Sequence, residues 1–156
     1  MHTETLIIGI GNTLRRDDGF GPAVLDMLEA EGVPGSVKLM AVHQLTPELA
    51  ENLMGVDRVV FVDASVMDWA VGPGIRFEPV QADGPTGDAI SHNFPPSALL
   101  QLMRMIGGRP PEAWTLSAPA SDLEAGEGLS PACQAYAHEA VKLLRDWLEQ
   151  GGRDTD

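Results

Sequence analysis

Near its amino terminus the chain runs Leu6-Ile7-Ile8, a glycine, Ile10, and then the turn-forming stretch GNTLRRDDGFG that ends at Gly21. An apolar run of this length, with no polar residue inside it, reads as a strand buried on both faces. Behind Gly21, the residues Val24, Leu25 and Leu28 recur at helical spacing. A strand that passes through a glycine-rich loop into a helix is the opening of an α/β fold. The loop then stands at the carboxyl edge of the sheet, where such folds bind ligands. The loop carries two adjacent acids, Asp17 and Asp18.

The rest of the chain repeats the alternation. Val37 to Val42 has the length of a second strand and ends at His43 and Gln44. Thr46, Pro47 and Glu48 are helix-start residues, and they predict a second helix to about Met54, stopped by Gly55. Val59 to Val62 is β-branched or aromatic throughout and predicts a central parallel strand, with Asp63 at its end. Ile75 to Val80 predicts an edge strand because of Pro79, antiparallel because only a short link precedes it. Residues 82–93 have no periodicity and read as a loop ending in Ser91-His92-Asn93. Pro95-Pro96 start a third helix with Leu99, Leu102, Met103 and Ile106 on one face. Trp114 to Ala118 is a further strand. Ser130 caps a last helix that begins at Pro131, buries Cys133 and Ala137, and is stopped by Gly151-Gly152, leaving Arg153 to Asp156 frayed. The expected architecture is a three-layer α/β/α sandwich of about five strands in one domain, residues 1–156.

Composition narrows the function. With 23 acids against 10 bases the formal charge is −13, which disfavours nucleic acid as a partner. No apolar run approaches a membrane span, and MHTETLIIGIG has no basic segment of a secretory leader. The single cysteine, Cys133, cannot form an internal disulfide, in keeping with the cytoplasm. On the apolar stripe of its helix it reads as core and not as a nucleophile. Gly9-Ile10-Gly11 begins a dinucleotide fingerprint, but Leu14 occupies the third glycine position and Asp17-Asp18 would oppose a pyrophosphate.

Three ionisable residues share one topological position. Asp18 follows the first strand, Asp63 ends the most apolar one, and His92 ends a loop before a helix. Two carboxylates and an imidazole can hold a divalent transition metal, or can serve as an acid–base set. Each also has a plainer reading: Asp17 as N-cap of the first helix, Asp18 as a first-turn acid, Asp63 as a turn residue, and His92 as an ordinary loop residue. His43 is a rival to His92, and Gln44 beside it a candidate specificity contact. His2 lies in the terminal arm, and His138 is expected on an exposed helix face.

The chain resembles the hydrogenase maturation endopeptidases. The resemblance is carried by IIGIGNTLRRDDGFGPAVLDML, HQLTPELAENL, VVFVDAS, SHNFPPSALL and GEGLSPA, in the family's order and over nearly the whole chain. The second and fourth of these resemble especially the branch acting on cytoplasmic or bidirectional hydrogenases. The resemblance implies a phosphorylase/hydrolase-like fold, a five-stranded twisted sheet with one strand antiparallel. It implies an enzyme that removes the C-terminal extension of a nickel–iron hydrogenase large-subunit precursor. The family's metal-contacting acids and histidine fall on Asp18, Asp63 and His92. No permanently bound cofactor is implied, since the nickel arrives in the precursor. The enzyme is expected to be a monomer, and Asp17 becomes a candidate partner for His92. Two other readings stand beside this one: a non-catalytic nickel-sensing chaperone for the same client, and a nucleotide-binding Rossmann-like module.

Overall fold

The two most apolar strands sit side by side at the middle of the sheet. β1 (Thr5–Ile10) is buried at every position, and β3 (Arg58–Ser65) is buried from Val59 to Val62. They run parallel, Ile8 opposite Phe61 and Gly9 opposite Val62. β2 (Val37–Val42) adds parallel to β1, and β5 (Glu112–Pro119) adds parallel to β3. β4 (Arg76–Val80) pairs antiparallel with β5, so the order is β2-β1-β3-β5-β4. The computed structural model describes residues 3–65, 74–81 and 94–154.

Period-two alternation sends neighbouring strand residues into different cores. Leu6, Ile8, Val59 and Phe61 pack with Leu49, Leu53, Leu99 and Met103 on one face. Ile7, Val60, Val62 and Leu116 pack with Phe20, Leu28, Ala137 and Leu144 on the other. Helix α1 (Phe20–Glu31) and helix α3 (Pro131–Asp154) therefore cover one face, and α2 (Pro96–Met105) covers the other. This is the expected three-layer sandwich, with the antiparallel strand where Pro79 placed it.

Several local expectations are corrected. The second helix shortens to a 3-10 turn, Pro47–Ala50, and Thr46 makes no side-chain cap bond there. Leu49 and Leu53 still reach the core, and beyond the 3-10 turn the segment goes on to Met54 in consecutive turns whose N–H groups mostly bond three residues back. Ile106 leaves the apolar face: α2 ends one residue earlier, and Ile106 is 54% exposed. Helix α3 continues through Gly151 and Gly152 to Asp154. Each glycine lowers helix propensity by about 1 kcal/mol, which weakens a helix without obliging it to stop. Asp63 lies within β3, paired with Ser117 of β5, and not beyond the strand's end. No helix of the described residues is long and apolar enough to cross a membrane.

Candidate functional site

From β1 the chain crosses first to β2 on one side and then to β3 on the other, which makes the gap between β1 and β3 the topological switch point. Two glycines let the following helix settle into it. Gly11 has φ +147°, and a Cβ there would lie 1.8 Å from the carbonyl oxygen of Asp18. Gly21, on the first turn of α1, would place a Cβ 2.4 Å from Val62 O and 2.5 Å from Ile10 N. No other residue allows so close an approach, so these two glycines serve the packing of the loop and α1 against the strands.

Between them lies a 3-10 turn, Arg16–Gly19, that carries both acids. Asp18 is partly exposed, and its Oδ2 accepts the Asn12 N–H at 2.9 Å. Across the gap, the Oδ1 of Asp63 accepts the Ala64 N–H at 2.8 Å. Burial pushes the Asp63 carboxyl up to about 7; the Ala64 N–H pulls against that rise, and the charge of Asp18 adds to it. Both acids thus lie at the carboxyl ends of β1 and β3, on either side of the switch point. A carboxyl with its midpoint near neutrality can take up and release a proton under working conditions.

Asp17, next in the chain to Asp18, does something different. It is fully buried. Its Oδ2 accepts from the N–H of Ser121 at 2.9 Å, the N–H of Asp122 at 3.0 Å and the hydroxyls of Ser130 at 2.9 Å and Ser121 at 3.2 Å. Its Oδ1 accepts from Ser130 N–H at 2.7 Å. Burial works to raise its pKa, but the hydrogen bonds from Ser130, Ser121 and Asp122 prevail and hold it below the ordinary value. The N-cap reading of Asp17 is therefore wrong. Gly19 is the N-cap of α1, and the Asp17 side chain is committed to the loop between β5 and α3. Its backbone joins the same loop, with Asp17 N–H donating to Asp122 O and Arg16 N–H to Gly126 O. Nothing in the sequence pairs residue 17 with residues 121 and 130; Ser130 was legible only as a helix cap. It does fill that role, its hydroxyl accepting the Cys133 N–H at 3.3 Å.

His92 lies outside the described residues, and so does His2. Among the described residues no group of three His, Cys, Asp or Glu side chains is arranged to hold a metal ion. His43 and Gln44 are exposed beyond β2. That is the same sheet edge, but two strand spacings from Asp63, about 10 Å. His138 is exposed, as expected, and Cys133 is buried, its thiol pushed up to about 12 by burial and by the nearby Asp17 carboxylate. A groove lined by Glu31, His138, Arg145 and Glu149 lies between α1 and α3, away from the acids.

No protein-family model and no curated protein matches the chain. Solved structures do match it over nearly its full length. The hydrogenase maturating endopeptidase HybD from E. coli is 22% identical with a TM-score of 0.82, over 97% of this chain and 94% of that one. The hydrogenase 2 maturation peptidase from a Thaumarchaeota archaeon is 27% identical with a TM-score of 0.69, over 93% and 97%. The [NiFe] hydrogenase maturation protease HycI from Thermococcus kodakarensis is 22% identical with a TM-score of 0.73, over 94% and 93%. The chain thus shares its fold with the hydrogenase maturation endopeptidases, the family its sequence motifs resemble.

Proposed function

We propose that this protein is an endopeptidase that removes the C-terminal extension from the nickel-loaded large-subunit precursor of a nickel–iron hydrogenase, acting as a monomer in the cytoplasm. The observation that carries the reading is the pair Asp18 and Asp63 at the switch point of a fold shared, over more than nine-tenths of the chain, with maturation endopeptidases. Nickel belongs to the substrate. Two carboxylates that repel one another gain from a shared cation, and oxygen ligands with an imidazole suit nickel. His92 is the third group assigned to this contact, on the resemblance of SHNFPPSALL alone.

Recognition through the metal makes cleavage conditional on loading, because an empty precursor lacks the ion that completes the site. A docked cation also favours the ionised form of Asp63, so the carboxylate is generated as the substrate arrives. Asp63 then takes a proton from water as its oxygen adds to the scissile carbonyl. It returns that proton to the leaving amine as the C–N bond breaks. Holding the peptide beside the acids lowers the orientational cost of this step.

The test is incubation of the purified protein with nickel-loaded and nickel-free precursor, followed by intact-mass measurement. Release of the tail from loaded precursor alone is expected, and Asp63→Asn or His92→Ala should abolish it without unfolding the domain. No release from a loaded precursor that a control protease processes refutes the reading. Tight binding of that precursor without release would identify a chaperone instead.

A further inference from the structure

We infer that Asp17 is a positioning residue for Asp18: by clasping the loop between β5 and α3, it fixes the 3-10 turn whose next side chain faces Asp63. The inference rests on the proposed role of Asp18 in the site. One short turn, Arg16–Gly19, carries both acids, and successive side chains of such a turn point to different sides. Asp17 points into the protein and takes five hydrogen bonds from Ser121, Asp122 and Ser130. Asp18 points to the sheet edge, its carboxylate tied only to the Asn12 N–H among the described residues. A turn this short cannot rotate one acid without rotating the other.

The backbone around the turn shows why an anchor is needed. Arg16 is the one non-glycine residue with positive φ, +45°, among those described. Such a conformation is strained for a residue that carries a Cβ and persists only where its surroundings determine it. Those surroundings are the same loop: Arg16 N–H donates to Gly126 O, Gly126 N–H donates to Leu14 O, and Asp17 N–H donates to Asp122 O. Arg16 Nε stands 3.6 Å from the Asp122 carboxylate. Residues 14–17 are thus tied to 122–126 by three backbone hydrogen bonds around one parallel bridge, Arg15 to Gly126, and the buried Asp17 carboxylate locks the pairing. Without the lock, the strained turn can relax and carry Asp18 away from Asp63.

The Asn12 amide reports where the Asp18 carboxylate lies, independently of catalysis. In the full-length protein, Asp17→Asn keeps the side-chain shape but turns an NH2 toward N–H donors. We expect its Asn12 amide to exchange at least about tenfold faster, with the amides of Ile7 and Ile8 in β1 as the reference for global opening. Under conditions where the variant is folded, kcat for tail release should fall about 100-fold with KM within twofold, the signature of misplacement and not of lost binding. Ser130→Ala, which keeps the N–H bond and loses the hydroxyl bond, should give a smaller change in both, and Ser130→Thr should restore both. Asp17→Asn with Asn12 exchange and kcat within twofold of wild type overturns the inference. Should Asp17→Asn not fold, the Ser130 pair decides, and equal values for Ser130→Ala and Ser130→Thr overturn it. A wild-type protein that releases no tail refutes the endopeptidase reading, and the Asn12 amide still settles the positioning.

Discussion

Replacing Asp63 by asparagine should stabilise the folded protein at pH 8 while removing its activity. The side chain is held near β3's carboxyl end with its proton midpoint moved from 3.8 to about 7, chiefly by burial and further by Asp18. Between those values the folded chain keeps a proton that the unfolded chain has released. The folded state's advantage is therefore complete below 3.8 and is lost as pH rises to about 7. Above that, the full penalty of holding a buried charge beside another charge is about 4 kcal/mol at most. Asparagine keeps the oxygen that accepts the Ala64 N–H and carries no charge, so the variant escapes the penalty. Urea denaturation of both proteins from pH 5 to 8.5, at matched m-values, measures the difference. Asp63→Asn should gain on wild type by up to about 1.4 kcal/mol per pH unit until about pH 7 and then hold a constant lead. A lead that is independent of pH, or one that grows as pH falls, would refute the assignment of a desolvated, charge-coupled carboxyl here. A variant more stable and less active is the expected mark of a site that trades folding energy for chemistry.

Three further outcomes follow from the same packing. Asp17→Ala strands the N–H groups of Ser121, Asp122 and Ser130 and should cost about 3 kcal/mol at pH 7. Because the folded pKa of Asp17 is lowered, that difference should shrink in thermal melts only as pH falls below about 4. Gly21→Ala drives a methyl into Val62 O and Ile10 N, prising α1 from the sheet. A loss of about 3 kcal/mol would lower Tm by about 6–12 °C, and an unchanged Tm would contradict the close approach. Cys133, buried and pushed up to about 12, should resist iodoacetamide at pH 8 in the native protein and react once guanidinium is added. Labelling of the native thiol would show that the helix it sits on opens readily.

What was legible beforehand was whatever a segment's own composition decides. Val59 to Val62 could only be a strand buried on both faces, since no helix of four residues would hide that much apolar surface without a polar side. The length of Val37 to Val42 predicts its observed bounds, the cap and proline of Ser130-Pro131 the last helix's start, and the missing N–H of Pro79 the edge position of its strand. Start signals carry no information about length. Thr46-Pro47-Glu48 marks the start correctly and an α-helix wrongly, because the segment winds to Met54 mostly through bonds three residues back while Leu49 and Leu53 dock on the sheet.

Asp17 and Asp18 set the limit most plainly. Side by side, with the same chemistry, they are indistinguishable from their neighbours in the chain. One is buried beneath Ser121, 104 residues away, and the other stands open opposite Asp63. The sequence by itself determined the five strands, the three long helices and which strands carry acids toward the carboxyl edge, because backbone preference and hydrophobic period are local. Only the tertiary structure decided which acid is clasped and which stands open, because hydrogen bonding, and the burial that with the charge of Asp18 lifts Asp63 to about 7, depend on residues that the fold alone brings within reach.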